Sequence, residues 1–427
     1  MELLKEVLAG LRPDEKKVKK EIDVTLRKLN SRLRKAKVKA KAVTGGSIAK
    51  GTFLEGDYDC DIFVKFNLKK YKDRDLSKIL ESVLKKSFKN VEKVHGSRDY
   101  FHLDRESREF RYEIVPVLDI RKTSEAVNVT DCSPLHVSWV NKFPKMKGEI
   151  MLTKAFMKAA GTYGAESYIK GFSGHVVDIL TIYYGGFMAL LKASQKWKTG
   201  DAKGRKEEKE VIDYYNKHKG KALFNLNKSK TESAIVVIDP IQPDRNAAAA
   251  LNREKFDVFR KKASEFLKNP SKRFFLAEKL DIERLRLDAE QGKGRLILMD
   301  AEAKQGKEDV VGAKLLKAFE YIISNLKQGD FVIINKGWEW DRAKRALFWV
   351  IVDAKDLPQT KTYEGPPVKI KKHYDNFRKI HKQAYEKGGR VFADEKREFT
   401  DAKDLISKLI KEEYIKNRVK SISGRGG

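Results

Sequence analysis

The sequence of 427 residues predicts a multidomain protein of the α/β plus α class, with an α/β head, a helical middle and a second α/β part. Three observations predict it. Over roughly the first 120 residues, apolar runs switch between strand-like and helix-like periods, the pattern of an α/β unit. From residue 148 to 193 the pattern turns helical. Beyond residue 290 strand and helix patterns mix again, and a chain of this length holds roughly two to four domains, each burying its own core.

Taken in order, Val18, Ile22, Leu26, Leu29 and Leu33 recur at steps of three and four, so residues 13–36 read as an amphipathic helix started by Pro13 and Asp14. Residues 38–44 read as a strand, Gly45-Gly46-Ser47 as a turn into a short helix, 60–66 as a strand, 76–88 as a helix and 110–120 as a strand. The most apolar stretch, 179–191, is too short to cross a bilayer and reads as one buried helix. Residues 199–233 shift to Lys, Glu, Asn and Gly and read as an exposed excursion. A short strand at 234–239 ends in the proline-containing turn 239–244, and helical pattern resumes to about residue 280. Strands are expected at 295–299, 331–335 and 345–352, with a helix at 315–326. No internal repeat is visible. The expected segments are 1–145, 146–285 and 286–427.

Charge narrows the partners. Lys and Arg number 91 against 61 Asp and Glu, a net charge of +30, while 41% of residues are hydrophobic. The chain is therefore globular and not a disordered polycation. An excess of this size suits a polyphosphate partner, because each neutralised phosphate releases counterions. Cys60 and Cys132 are too few for a disulfide framework or a thiolate zinc site, which fits a reducing cytoplasm. Met1-Glu2-Leu3-Leu4-Lys5 has no signal-peptide pattern, so a cytoplasmic protein without membrane association is expected.

The most informative stretch runs from Gly45-Gly46-Ser47-Ile48-Ala49-Lys50 to Asp59-Cys60-Asp61. A glycine-serine turn at a helix start offers backbone N–H groups and a hydroxyl to a phosphate. Asp59 and Asp61, one residue apart in a strand, project to the same face. Adjacent carboxylates repel unless a cation sits between them, and Mg²⁺ prefers such oxygen ligands. Either feature alone is common on ordinary surfaces. Together, in a strand–turn–helix–strand context, they describe the metal and phosphate sites that phosphoryl transfer needs. Glu113, an acid in an otherwise apolar strand, is the candidate third ligand and general base.

This pattern resembles the DNA polymerase β-like nucleotidyltransferase superfamily. Further runs narrow it: Thr130-Asp131-Cys132-Ser133-Pro134-Leu135-His136, Lys154-Ala155-Phe156-Met157-Lys158, Gly161-Thr162-Tyr163-Gly164-Ala165-Glu166, Lys170-Gly171-Phe172-Ser173-Gly174, and Asp239-Pro240 with Arg245-Asn246-Ala247-Ala248-Ala249. In order and spacing they resemble the archaeal-type (class I) CCA-adding tRNA nucleotidyltransferases over roughly residues 14–290. The resemblance implies a nucleotidyltransferase head, a helical neck and an RNA-binding body and tail. It implies template-independent addition of C, C and A to the 3′ end of tRNA from CTP and ATP, with two Mg²⁺ ions as cofactors. Residue by residue, it implies that Gly46, Ser47 and Lys50 meet the triphosphate and that Asp59, Asp61 and Glu113 hold metal. His136, Lys154 and Tyr163 would bind the nucleotide's sugar and phosphates, and Arg245 would face its base. Lys50 stands where the family usually has Arg, a point charge in place of a fork. Glu113 stands where it commonly has Asp, which changes the third ligand's reach.

The tail, residues 361–427, carries 18 basic and 10 acidic residues. Lys371, Lys372, Arg378, Lys379 and Lys382, interleaved with Tyr374, Phe377 and Tyr385, are expected to hold RNA phosphates, and the resemblance implies that this region grips the tRNA acceptor arm and elbow. Other readings remain open: a poly(A) polymerase or oligoadenylate synthase-like enzyme, an inactive RNA-binding protein, or an aminoglycoside-type transferase, the last disfavoured by charge and length. Oligomeric state, a homodimer included, is not legible in the sequence.

Overall fold

The computed structural model describes residues 2–103, 110–198, 209–277 and 280–425. The chain forms two compact units, Met1–Glu278 and Lys279–Gly427.

In the first unit α1 (Glu2–Leu11) precedes α2 (Glu15–Lys35). Asp14 caps α2 by accepting from the backbone N–H groups of Lys16 and Lys17, and Val18, Ile22, Leu29 and Leu33 are buried along one face. The chain continues through β1 (Ala40–Thr44), α3 (Gly46–Lys50), β2 (Asp59–Asn67), α4 (Leu68–Tyr71) and α5 (Leu76–Lys85). It then forms β3 (Val91–Val94), β4 (Tyr100–Leu103) and β5 (Arg111–Asp119). These strands form a sheet in the order β1-β2-β5-β4-β3, in which β2 and β5 run parallel and the other pairs antiparallel. Cys60, Ile62, Val64 and Phe66 alternate into a core shared with Leu29 and Leu33 of α2 and Leu80 and Leu84 of α5. That alternation leaves Asp59 and Asp61 on the opposite face. The sequence reading missed β3 and β4, whose four-residue spans carry Glu92, Lys93 and His102 and too few apolar positions to show a period.

A second core in the same unit is built from α6 (Ser133–Val140), α7 (Lys147–Ala159), α8 (Gly174–Tyr184), α9 (Phe187–Ser194) and α11 (Arg253–Lys268), with α10 (Ala222–Asn225) in between. Phe156, Phe187, Phe259, Phe266, Phe274 and Phe275 pack edge-to-face and stacked at its centre. Two expectations need correction. The apolar stretch 179–191 is not one helix: α8 and α9 meet at 92°. Gly185 and Gly186 take positive φ there, and a Cβ on Gly186 would stand 2.9 Å from the Glu149 carboxylate, which accepts the Phe187 N–H at 2.8 Å. The excursion expected at 199–233 is also not simply exposed. Residues 199–208 lie outside the described residues, but Ala222 and Leu226 are buried with Val236 and Ile238. Beside them β6 (Val211–Ile212) pairs parallel with β7 (Val236–Val237). Among the described residues no single helix is long and apolar enough to cross a membrane.

In the second unit α12 (Ile282–Gln291) runs across the boundary expected at 285–286. It leads to β8 (Gly294–Glu302), α13 (Glu308–Gln328), β9 (Ile333–Trp340) and β10 (Arg345–Asp353). The remaining elements are β11 (Thr360–Pro367), α14 (Lys371–Ile380), β12 (Tyr385–Lys387), β13 (Arg390–Lys396), α15 (Ala402–Leu409), α16 (Glu413–Lys416) and β14 (Ser421–Gly424). An antiparallel sheet runs β14-β8-β10-β9. Met299, Phe348 and Val350 pack with Leu315, Phe319 and Ile322 of α13 and Ile406 of α15. Leu285 and Ala289 of α12 pack with Ile351 in a smaller cluster. A smaller antiparallel sheet, β11-β13-β12, accompanies α14, which has no buried residue.

Candidate active site

The site begins at a turn that only glycine permits. The Gly45 N–H donates to the Asp61 carbonyl at 2.8 Å and fastens the turn to β2. Gly46 has φ +51°, and a Cβ there would lie 1.6 Å from Asp61 Oδ2. A side chain at 46 would therefore collide with the carboxylate it has to stand beside. The turn opens directly into α3, with Ser47 in its first turn and Lys50 in its last.

Strand register assembles the acids. Asp59 and Asp61 share a face of β2, and the parallel pairing sets Glu113 of β5 directly opposite Asp61. His102 of β4 is opposite Glu113 in turn, with Nε2 and Oε1 3.1 Å apart. Burial, then the charges of Glu113 and Asp59, push the Asp61 carboxyl up to about 7. Burial, then Asp57 and Glu113, raise Asp59. Crowded hard-oxygen donors held against their mutual repulsion match what a divalent ion such as Mg²⁺ takes, so these three residues fit such an ion.

Ammonium groups stand close by. Asp57 Oδ2 pairs with Lys154 Nζ at 3.1 Å and with Lys158. Burial would raise the Asp57 carboxyl, but the two lysine charges hold it below its ordinary range. Burial pulls the Lys154 ammonium down despite Asp57. Lys50 Nζ donates to Asp178 Oδ2 at 2.6 Å; Asp178 is buried, and the Lys50 charge keeps it ionised. Tyr163 lies 5.6 Å from Lys154 Nζ and 5.2 Å from Lys158 Nζ, ring centre to nitrogen. Gly46, Ser47, Lys50, the three acids, Lys154 and Tyr163 line one cavity of about 300 Å³. A pocket with both acids and ammoniums suits a polyanion that arrives with counter-cations.

His136 and Arg245 do not line that cavity. They meet at the buried carboxylate of Asp239, with His136 Nε2 at 2.8 Å and Arg245 Nη1 at 3.1 Å from the same oxygen. His175 links the two places, since it lines the cavity and its ring centre is 4.0 Å from that of His136. Lys371, Lys372, Arg378 and Lys379 are exposed on α14 in the second unit, and Lys382 is exposed just after it.

Comparison with known proteins covers nearly the whole chain. Residues 26–136 match the nucleotidyltransferase domain, 148–276 the tRNA nucleotidyltransferase second domain, and 296–422 the CCA-adding enzyme C-terminal domain. The CCA-adding enzyme of Nanoarchaeum equitans is 33% identical over 377 residues, spanning 87% of this chain and 88% of that one. The chain belongs to the CCA-adding enzyme family. The family's member from Methanocaldococcus jannaschii is 29% identical over 425 residues, 96% of this chain and 90% of that one. That from Sulfolobus acidocaldarius is 27% identical over 410 residues, 95% of this chain and 90% of that one.

The structure gives partners to Lys158 and Asp239, which stood in the resembling runs without a role; beyond those runs it brings in Asp57, His102, His175 and Asp178. Two of these left a sequence signal. Asp57 extends the alternating acids 57, 59 and 61, and Asp178 is a charge inside an otherwise apolar helix. His102 left none, because the strand that carries it was not legible.

Proposed function

We propose that the chain adds C, C and A to the 3′ end of tRNA from CTP and ATP, without a template and with release of pyrophosphate. The observation that carries this reading is the register that sets Glu113 across from Asp61, beside Asp59 and above a glycine-serine turn, in a member of this family. Residues 1–145 form the catalytic head, the rest of the first unit a nucleotide-binding neck, and the second unit an RNA-binding body and tail. Asp59, Asp61 and Glu113 would hold two Mg²⁺ ions. Bound there, they would neutralise charge on the triphosphate and the attacking oxygen.

The chain's own groups do the rest. Gly46 and Ser47 offer N–H and O–H donors to phosphate oxygens. Lys50, Lys154 and Tyr163 hold the triphosphate, the two lysines exchanging their contacts with Asp178 and Asp57 for phosphate. Glu113 takes the proton of the RNA 3′-hydroxyl, its Oε1 steadied by His102. His136 contacts the sugar and Arg245 the base. Lys371, Lys372, Arg378, Lys379 and Lys382 bind RNA phosphates and read shape in place of sequence.

The test is incubation with tRNA lacking its 3′ end, Mg²⁺, and each nucleoside triphosphate singly and in pairs, followed by sequencing of the products. Two C residues from CTP alone, and a single terminal A once ATP is added, are expected. Long runs of A, or no dependence on the tRNA, would replace this reading with that of another template-free transferase.

A further inference from the structure

Asp239 sits at the turn after β7, fully buried, with one carboxylate oxygen tied to its own turn and the other directed at Arg245 and His136. Oδ1 accepts the backbone N–H groups of Ile241 at 3.0 Å and Gln242 at 3.3 Å. Oδ2 accepts from Arg245 Nη1 and pairs with His136 Nε2. The backbone reinforces this, because the Asp239 N–H donates to the Arg245 carbonyl at 3.0 Å and the Arg245 N–H to the Gln242 carbonyl at 2.9 Å. The Arg245 side chain is nonetheless 42% exposed.

We propose that Asp239 is a positioning residue that joins the base-facing arginine to the sugar-facing histidine, setting the aim of Arg245 and the tautomer of His136 through one carboxylate oxygen. This inference rests on the roles given above to Arg245 and His136. A carboxylate only accepts, so Nε2 must carry the His136 proton. Burial holds the His136 ring down at about 4, so it is neutral near pH 7 and Nδ1 is left as a bare acceptor. A neutral ring with a bare nitrogen pairs with a hydroxyl donor and not with a phosphate oxygen, which assigns His136 to the ribose. Burial would raise the Asp239 carboxyl, yet its contacts with His136 and His175 hold it well below the usual carboxylate range, so it keeps this acceptor role at any working pH.

His136, His175 and Asp239 also have the composition of a transition-metal site, with donor atoms within 4.8 Å of one another. Nearest approaches of His175 to carboxylates are 3.8 Å, to Asp178 and Asp239. A cation there would have to compete with the Arg245 guanidinium at Oδ2 or with the Ile241 and Gln242 N–H groups at Oδ1, so both oxygens are already occupied. The geometry favours the arginine.

Asp239→Asn separates these ideas. The amide oxygen keeps the two backbone donors, so its NH₂ replaces Oδ2 and faces the Arg245 donor with a donor. His136 Nε2 must then accept, and the ring proton moves to Nδ1. Ring ¹⁵N spectra of the seven histidines, with His136 assigned by its own substitution, should show this exchange. An unchanged His136 tautomer would overturn the proposal whatever Arg245 does. In addition assays, Asp239→Asn should narrow the preference for C and A over U by about tenfold. The Asp239→Asn, Arg245→Ala double variant should be no less selective than Arg245→Ala alone. Additive losses would overturn the coupling. Selectivity unchanged in Arg245→Ala would instead refute the base-reading role, while the tautomer test stands. If Asp239→Asn does not fold, Arg245→Ala carries the test alone. Without the guanidinium charge the His136 ring should titrate higher, and an unmoved titration would refute the link. Equimolar Zn²⁺ should leave both ring signals in place, and a joint shift of His136 and His175 would overturn the clamp in favour of a metal centre.

Discussion

Asp61→Asn should abolish nucleotide addition and at the same time stabilise the metal-free protein. The Asp61 carboxyl is pushed up to about 7 by burial and by its neighbours Glu113 and Asp59. Against an ordinary value near 3.9, that corresponds to up to about 4 kcal/mol of excess free energy for ionised Asp61 in the folded chain. The folded carboxyl titrates above the unfolded one, so the folded state takes up a proton between about pH 7 and pH 4 that the unfolded state does not. The penalty is therefore fully present above that window, and metal-free stability rises as pH falls through it. The isosteric amide removes the charge and with it the pH dependence. Thermal unfolding in EDTA at pH 8 should show Asp61→Asn melting several degrees above the parent, at roughly 2–4 °C per kcal/mol for a unit of this size. The gap should close toward pH 5. Mg²⁺ should raise the melting point of the parent and leave that of Asp61→Asn nearly unchanged. A variant that melts at or below the parent at pH 8 in EDTA would show that the three acids do not strain one another.

Three further outcomes follow from the site and the tail. Replacing Lys371, Lys372 and Lys379 by Gln should weaken tRNA binding and flatten its salt dependence by about one unit of slope for each phosphate no longer neutralised, with CTP binding intact; an unchanged slope would make α14 a solvated surface. Arg245→Ala should lower use of CTP and ATP while leaving UTP use nearly unchanged, because the guanidinium carries only donors that match the acceptors of C and A. An equal fall for all nucleotides would place Arg245 on phosphate. His102→Phe removes the hydrogen bond to Glu113 and should cost about 1–2 kcal/mol in kcat with little change in the KM for CTP. A KM effect alone would mean that His102 does not steady the base.

How much of this was legible in the residues depends on where the signal is stored. The amphipathic α2, the turn at Gly45 and the pair Asp59–Asp61 are local patterns with a period or a spacing, and they could be read directly. The place of Glu113 could be guessed but not its register, because parallel pairing of β2 with β5 depends on everything between them. The 92° break was marked only by the pair Gly185-Gly186, since apolar side chains continue across it, and the carboxylate of Glu149 from α7, which holds the turn, is distant in sequence. The cluster around Asp239 joins positions 136, 175, 239 and 245, which no spacing rule connects.

The cavity's charge pattern explains why so many of its groups are already paired. Its described lining carries five carboxylates, Asp57, Asp59, Asp61, Glu113 and Asp178, against the three ammoniums of Lys50, Lys154 and Lys158. With every carboxyl ionised two negative charges are in excess, and the lysines that a triphosphate needs are held by Asp57 and Asp178. A bare triphosphate therefore meets a net repulsive site whose cations are occupied, so nucleotide affinity must depend on divalent cations. Asp57 is the residue on which to test this, because it pairs with two lysines and none of the metal-binding roles falls to it. In Asp57→Asn, Lys154 and Lys158 lose their competing carboxylate and the cavity loses one negative charge. ATP binding measured by calorimetry in EDTA should tighten by about tenfold, or 1.4 kcal/mol. If removing the carboxylate instead weakened ATP binding, Asp57 would be orienting the lysines toward phosphate, and pairing before substrate arrives would be preparation in place of competition.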